Sequence, residues 1–185
     1  MMYISEEQKG LARQYTDENI KAGLNCSESV FNALIRAELL GLPGEATALA
    51  SGINGGAAGT GHTCGALAGA VMAVSAVYGR PDPIHNAVNM LKDPGKKHEV
   101  KDPKEDYRYY MMRRFNNVVG DFAKEMGTTQ CQEIIDRNGG YWNDARQAEC
   151  EYCIKFGVEV ALKYLEMEQE EADKLPYAVN IFDWE

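Results

Sequence analysis

Apolar residues recur at every third or fourth position along most of the chain, which is the spacing of one face of an α-helix. Clusters of glycine, proline and asparagine interrupt this pattern and set the ends of the predicted helices. The predicted helices cover about 5–21, 26–40, 45–51, 64–78, 105–125, 130–138 and 143–168. No segment alternates in the manner of a strand, and no internal repeat is visible. The sequence therefore predicts an all-α, single-domain helical bundle of about five to seven helices.

Three of the predicted helices begin with the spacing of a capping box, in which a small polar residue is followed three positions later by Glu or Gln. The pairs are Ser5 with Gln8, Asn25 with Glu28, and Thr129 with Gln132. Each box would satisfy backbone N–H groups that a helix start leaves without partners. These signals place Cys26 and Cys131 in the first turns of two helices.

A glycine-rich loop over 52–61 leads into the most apolar predicted helix. Consecutive N–H groups in this loop, together with the helix start, could hold an anion such as phosphate or an inorganic sulfide. A tight turn or a close backbone approach explains the same glycines, and no dinucleotide or Walker pattern accompanies them. The candidate residues are Gly55, Gly56, Gly59, Gly61, Gly65 and Gly69. The helix over 66–78 is apolar all round, so we expect it to be central and buried, with a neighbouring helix close to Gly65 and Gly69.

Composition and charge narrow the classes of function. The 185 residues are 45% hydrophobic and carry a formal net charge of −9, which fits one globular domain over 1–185. An acidic chain repels nucleic acid, so no nucleic-acid partner is expected. The longest apolar stretch is shorter than the ~20 residues that cross a bilayer, so no membrane span is expected. The first residues lack the pattern of a signal peptide, which predicts a cytoplasmic protein.

Of two further stretches, one is predicted to lie at the surface and the other to pack. The proline-rich segment over about 80–104 predicts an irregular peripheral connection. The tyrosines and methionines over 107–112 form a stripe at helical spacing, which is typical of a core or of a homodimer interface. Carboxylates are too scattered for an acid/base pair, and no serine lies in a nucleophile elbow, so hydrolase chemistry has no support.

The five cysteines are the main candidates for chemistry. An odd set with wide spacing in a reducing compartment argues against a disulfide scaffold and leaves redox chemistry, metal ligation or packing. Cys26, Cys64 and Cys131 fall in predicted first turns, where free N–H groups and the helix dipole stabilise a thiolate. A lowered pKa makes a cysteine nucleophilic or ready to bind metal, whereas an ordinary buried cysteine is an inert apolar filler. Cys26 and Cys64 are the first two candidates.

Cys150 and Cys153 form a Cys-x-x-Cys pair within the last long helix and share one of its faces. This spacing occurs in redox motifs and in zinc sites, but a redox motif has the pair at a helix start and a zinc knuckle needs a second pair. We therefore expect one of the two to point at the site and the other to pack. His62, two residues before Cys64, is a secondary candidate for a metal ligand or proton acceptor, because a lone loop histidine is commonly a surface residue.

The run Cys64-Gly65-Ala66-Leu67-Ala68-Gly69, with Cys26 before it and Cys131 and Cys153 after it, resembles the family of putative redox-active proteins named for its C_GCAxxG_C_C cysteine arrangement. The resemblance covers about residues 20–165, and its central motif reads Cys-Gly-Ala where the family name has Gly-Cys-Ala. It implies that Cys26, Cys64, Cys131 and Cys153 are the family's four cysteines, with Cys150 as a rival for the fourth position. The family is also similar to a domain of split-Soret cytochrome c that holds an iron–sulfur cluster, so the resemblance implies cluster ligation as well.

The leading hypothesis is an oxidoreductase or electron-transfer protein in which Cys26, Cys64, Cys131 and Cys153 converge. These cysteines would either cycle between dithiol and disulfide or ligate an iron–sulfur cluster. The hypothesis predicts that at least three of the sulfurs lie close together. The alternative is a non-enzymatic protein that binds a transition metal or a small anion. A helical dimer in which the cysteines only pack is the third hypothesis, and the sequence does not identify a redox partner.

Overall fold

Seven α-helices and one 3₁₀ helix make up most of the chain that the computed structural model describes, which is residues 2–80 and 107–179, without the side chains of residues 107–110. The helices are α1 (Glu6–Lys21), α2 (Cys26–Arg36), the 3₁₀ helix (Gly44–Ile53), α3 (Gly65–Tyr78), α4 (Tyr107–Met126), α5 (Cys131–Arg137), α6 (Asp144–Glu166) and α7 (Gln169–Ala172). Within these ranges there is no strand, only an isolated antiparallel bridge between Thr63 and Gln130. The all-α prediction is confirmed.

Capping boxes fix the starts of α1 and α2 as predicted. The Ser5 side chain accepts from the Gln8 backbone N–H, and the Asn25 side chain accepts from that of Glu28. The box predicted at Thr129 is wrong, because α5 begins one residue later, with Gln130 at the N-cap and no side-chain capping bond. The start of α5 is held by backbone bonds from another segment instead.

Helix α2 ends at Arg36, earlier than the predicted end near 40. Glu38 adopts a positive φ of 59°, which a helix cannot contain, and the Leu39 N–H bonds back to the carbonyl of Leu34. This turn sends Leu39 and Leu40 into the core, where both are buried. Hydrophobic periodicity alone did not separate these core residues from the helix, because they are apolar at a spacing that continues its pattern.

Close packing of α2, α3 and α6 forms the centre of the fold. A Cβ at Gly69 of α3 would lie 2.7 Å from the Ser27 carbonyl oxygen of α2. A Cβ at Gly157 of α6 would lie 3.0 Å from the Ala66 carbonyl oxygen of α3 and 3.1 Å from a Val30 methyl of α2. Small residues thus let the three helices approach, which confirms the close neighbour expected at Gly69.

The remaining helices cover this centre. Helix α1 packs against α2 and α6, and α4 packs against α3 and α6. The apolar side chains of α4, including Phe115, Val118 and Phe122, are buried in the same core, with Met111 and Met112 half-buried against it. This agrees with a packing role for the part of the predicted stripe whose side chains are described, while the homodimer stays a prediction. Apart from Arg80, the predicted connection over about 80–104 lies outside the described residues.

The described helices also bear on the prediction about membranes. Helix α3 is the most apolar of them but is short, and the longer helices α4 and α6 carry many charged residues. None of the helices in the described ranges combines the length and the apolar character that a membrane span requires.

Candidate cysteine site

The five cysteines come from four helices. Cys26 is the first residue of α2, Cys64 is the N-cap of α3, and Cys131 is the first residue of α5. Cys150 and Cys153 lie in the first half of α6, one turn apart. All five are free thiols. The expectation that three cysteines occupy helix starts is therefore confirmed.

A short backbone pairing joins the starts of α3 and α5. The Cys64 N–H donates to the Thr129 carbonyl at 2.8 Å, and the Cys131 N–H donates to the His62 carbonyl at 2.6 Å. Gly56, at a φ of +75°, lies against this pairing, since a Cβ there would overlap the His62 nitrogen and lie 2.9 Å from the Cys131 Cβ. The glycine-rich loop therefore brings Cys64 and Cys131 to one place by close backbone approach.

The Cys26 sulfur packs against the start of α3, and the space for it exists because Gly65 has no side chain. A Cβ at Gly65 would overlap the Cys26 sulfur. The sulfur therefore lies directly against the residue that follows Cys64. On its other side, the Cys26 thiol donates to the Asn54 Oδ1 at 3.5 Å. The swap of Cys and Gly relative to the family name thus places a glycine where the Cys26 sulfur needs space.

The surroundings of Cys64 favour its thiolate form and lower its pKa. The Cys153 thiol donates a hydrogen bond to the Cys64 sulfur, and the backbone N–H groups of Leu67 and Ala66 in the first turn of α3 do the same. These bonds outweigh burial and lower the pKa of Cys64, which is 5% exposed. The same bond and burial raise the pKa of Cys153, which is 1% exposed and also contacts the Met126 sulfur at 3.5 Å.

The other two cysteines at helix starts, Cys26 and Cys131, have raised pKa values. Burial and the charge of Cys64 raise the pKa of Cys26 to about 11, although the N–H groups of Gly55 and Ser27 donate to its sulfur. Burial, with Cys64 and Cys150 nearby, raises the pKa of Cys131 to about 11. The expectation that a first-turn position lowers the pKa holds for Cys64 alone, because desolvation of the other two sulfurs exceeds the effect of the helix start.

The three cysteines that are only partly buried line one cleft of about 310 Å³. Cys26, Cys131 and Cys150 line it, together with Asn54 and Gly55. Its apolar walls are Ile20, Leu24, Ile135 and Ile154. Cys64 and Cys153 are buried, yet Cys64 interacts electrostatically with Cys26, Cys131 and Cys150. Cys150 is therefore the member of the Cys-x-x-Cys pair that points into the open site, and Cys153 is the packed member that contacts Cys64.

Arg146 and Tyr141 belong to the cleft although the sequence did not single them out. Arg146 Nη1 donates to the Cys150 sulfur at 3.6 Å, which opposes the burial that raises the Cys150 pKa. Its guanidinium lies 4.4 Å over the Tyr141 ring, and Tyr141 meets Trp142 edge-on at 4.9 Å. The available signal was the spacing of Arg146 four residues before Cys150, which puts both on one face of a helix.

The remaining sequence candidates have separate positions. The His62 side chain is exposed and does not line the cleft, although its backbone pairs with Cys131. Gly59 and Gly61 line a second cleft of about 300 Å³, which shares Asn54, Gly55 and Tyr141 with the first. Gly65 and Gly69 lie against α2. Close packing therefore accounts for Gly56, Gly61, Gly65 and Gly69. Gly55 and Gly59 are at least partly exposed beside the clefts.

The donor set fits an iron–sulfur cluster in its chemistry, because clusters are held by cysteine thiolates. A single metal ion is a different case. In residues 2–80 and 107–179, no three His, Cys, Asp or Glu side chains are grouped so that they could hold one metal ion. A cluster spreads its cysteine ligands over several iron atoms, so it needs a wider set of sulfurs than one ion does.

Comparisons with known proteins bear on the family. No curated protein and no solved structure matches the chain. The sequence model of the family described as "Putative redox-active protein (C_GCAxxG_C_C)" matches residues 24–164, a range that contains all five cysteines, the glycine-rich loop and most of α6. The match covers well over half of the 185 residues. The chain therefore belongs to the C_GCAxxG_C_C family.

Proposed function

We propose that this chain is a thiol–disulfide redox protein in which Cys26 and Cys64 form and break one disulfide bond. The observation that carries the proposal is the position of the Cys26 sulfur, which lies against the start of α3 beside Cys64. The description of the family as redox-active supports the same class of chemistry. A convergent set of free thiols supports it as well.

The two thiols have complementary properties for this reaction. Oxidation joins the Cys64 thiolate to the Cys26 sulfur, and an external acceptor takes the two electrons while Cys26 gives its proton to solvent in the cleft. In the reverse step an incoming thiolate attacks the Cys26 sulfur, which lines the cleft, and Cys64 leaves as a thiolate. A thiol with a lowered pKa is the faster leaving group, which suits Cys64 to that part.

Cys153 has a positioning role in this scheme. It is almost fully buried, and its raised pKa keeps its proton on the sulfur, from which it donates to Cys64. A donor that stays protonated stabilises the thiolate without competing as a nucleophile. Cys153 therefore stabilises the reduced state of the pair, and Cys26 forms the bond.

The test is disulfide mapping of the reduced full-length chain after mild oxidation with diamide. Mass spectrometry of peptides should find a Cys26–Cys64 link and a loss of two hydrogens per chain. The link should persist in Cys153→Ala and in the matched control Cys150→Ser, and should be absent in Cys64→Ser. Five free thiols after oxidation, or a link that leaves Cys64 free, would contradict the proposal.

Iron–sulfur electron transfer is the second candidate function. It is favoured by the three cysteines that line one cleft, Cys26, Cys131 and Cys150, with Cys64 or Cys153 available as a fourth ligand. A bound cluster would supply one-electron transfer. Around it, the Asn54 and Gly55 backbone and the Arg146 guanidinium would provide hydrogen bonds that tune a cluster's potential.

Anaerobic purification separates the two candidates. Iron, acid-labile sulfide and visible absorption in the wild type, all lost in Cys64→Ser, would favour electron transfer over the disulfide cycle. Zinc without redox activity, released by a chelator, would favour the non-enzymatic metal-binding alternative. A colourless protein free of iron and zinc, with a reversible Cys26–Cys64 link, would favour the disulfide cycle.

A further inference from the structure

The cleft beside the cysteines contains a cation whose hydrogen-bonding capacity is not fully used by the described chain. The Nε atom of Arg146 is buried and has no hydrogen-bond partner among the described residues. Its Nη1 donates only to a weak acceptor, the Cys150 sulfur, and its face stacks on Tyr141. Glu151 also lines the cleft, yet Arg146 forms no ion pair within the described part of the chain.

An unsatisfied guanidinium in a partly buried site favours an anion. Its planar edge matches a carboxylate, and bonds between two charged groups are about twice as strong as neutral ones. Stacking on Tyr141 fixes the plane of the guanidinium. The charge of Arg146 is therefore placed at a defined position in the cleft.

The rest of the cleft defines the other end of the ligand. Apolar isoleucine and leucine side chains form the walls, and the sulfurs of Cys26, Cys131 and Cys150 are the reactive groups that face it. A volume of about 310 Å³ is at the small end of the range for ligand pockets. The complementary molecule is small, carries one anionic group, has a short apolar stem and ends in sulfur.

We infer that the cleft binds a small thiol that carries a carboxylate, with the carboxylate paired to Arg146 and the sulfur against Cys26. This inference rests on the proposed function, because it names the reductant of the Cys26–Cys64 disulfide. Arg146 is then the residue that selects the substrate.

The reaction balances with the protein's own disulfide as the oxidant. The ligand thiolate attacks the Cys26 sulfur, a mixed disulfide forms, and Cys64 leaves as a thiolate. A second ligand thiolate attacks the ligand's sulfur in the mixed disulfide and displaces Cys26, which then takes up a proton from solvent. Two thiols are oxidised to one small disulfide, and the protein disulfide gains two electrons.

The experiment compares three small thiols as reductants of the oxidised full-length chain. The thiols are mercaptopropionate, which is anionic, mercaptoethanol, which is neutral, and cysteamine, which is cationic. Rates are corrected for the thiolate fraction of each and followed by quenching and mass spectrometry. We expect mercaptopropionate to react roughly tenfold faster than mercaptoethanol in the wild type, the size of effect that one charged hydrogen bond supplies, and cysteamine to be slowest.

Variants test whether Arg146 causes the preference for the anionic thiol. Arg146→Gln should bring the ratio of the anionic to the neutral thiol close to one, and Arg146→Lys should retain part of it. Arg13→Gln removes the same charge from an exposed pair with Glu159 and should keep the wild-type ratio. A wild-type ratio near one, or a ratio that Arg13→Gln lowers as much as Arg146→Gln does, overturns the inference and leaves the disulfide cycle intact.

Binding of butyrate provides a readout that needs no redox step. Butyrate has the carboxylate and stem of mercaptopropionate but no sulfur, so it reports the anion site alone. Saturable shifts of cleft resonances in NMR that disappear in Arg146→Gln support the site, even if no Cys26–Cys64 link forms and the proposed function fails. Shifts that are absent in the wild type, or unchanged in Arg146→Gln, overturn the site.

Discussion

Cys26, Cys64 and Cys131 show that the same local position can give opposite thiol chemistry. All three lie at helix starts, where the dipole favours a thiolate, but only Cys64 has a lowered pKa. Burial raises the pKa of Cys26 and Cys131, yet Cys64 is the most buried of the three. The difference is the neighbouring Cys153 thiol, which donates to Cys64 and outweighs its desolvation. For Cys26 and Cys131 desolvation dominates, and the negative charge of Cys64 adds to it.

The first prediction concerns this donor. Replacing Cys153 with alanine removes the bond that stabilises the Cys64 thiolate most, so the pKa of Cys64 should rise toward its ordinary value. Each unit of increase reduces the thiolate fraction about tenfold when the pH lies below the pKa. Ultraviolet absorbance of the thiolate against pH measures this directly, because the other cysteines titrate at higher pH.

Cys150→Ser is the matched control for that titration. Cys150 lies one helical turn from Cys153 but donates no bond to Cys64. Its curve should follow the wild type near neutral pH. If Cys153→Ala leaves the neutral titration unchanged while Cys150→Ser abolishes it, the thiolate is not Cys64.

At the scale of the helices, the starts were predictable and the packing between them was not. Capping boxes at Ser5 and Asn25 are determined by residues three positions apart, so the sequence revealed them. The start of α5 depends instead on backbone bonds from the glycine-rich loop, which is why the box predicted at Thr129 does not form. The pKa of each cysteine depends on burial and on partners from other helices, which no local pattern contains.

The second prediction tests the contact between α2 and α3. Gly65→Ala places a methyl group on the Cys26 sulfur and 3.2 Å from the Ile53 carbonyl oxygen. We expect a loss of about 1–3 kcal/mol in the free energy of unfolding, because the packed helices cannot move apart freely. Formation of the Cys26–Cys64 link should also slow. Urea unfolding and disulfide mapping measure the two effects.

Gly10→Ala is the control for a glycine within a helix. A Cβ there meets nothing within 4 Å, so helix propensity should dominate and stabilise the chain by about 0.5–1 kcal/mol. Equal effects of the two alanine substitutions would mean that the Cys26 sulfur does not need the space at Gly65.

On the scale of the whole molecule, Arg114 holds the end of α6 that lies away from the cysteines. It is 1% exposed, and its Nη1 donates to the carbonyls of Tyr164 at 2.5 Å and Met167 at 3.0 Å. Its guanidinium stacks 3.8 Å from the Tyr78 ring of α3, so one side chain of α4 joins three helices. The sequence did not reveal this role, because a lone arginine in a helix is usually a surface residue.

The third prediction separates stability from the thiol chemistry. Arg114→Met leaves two buried carbonyls without their donor and should lower the free energy of unfolding by about 2–4 kcal/mol. The ultraviolet titration of Cys64 should not change, because Arg114 contacts α3 and α6 at their C-terminal ends, away from Cys64. Arg13→Gln, which breaks an exposed ion pair with Glu159, should cost at most about 1 kcal/mol. A shift of the Cys64 titration in Arg114→Met would mean that the two ends of α6 are coupled.

The unequal pKa values of Cys26 and Cys64 determine how many protons accompany the electrons. Between the lowered pKa of Cys64 and the pKa of Cys26 at about 11, the reduced pair holds one proton, on Cys26. Two electrons then leave with a single proton, so the midpoint potential should fall by about 30 mV per pH unit. Below the pKa of Cys64 both sulfurs are protonated, and the slope should double to about 60 mV. A plot of potential against pH would therefore bend at the pKa of Cys64, and above the bend the protein's oxidising strength would depend only half as steeply on acidity.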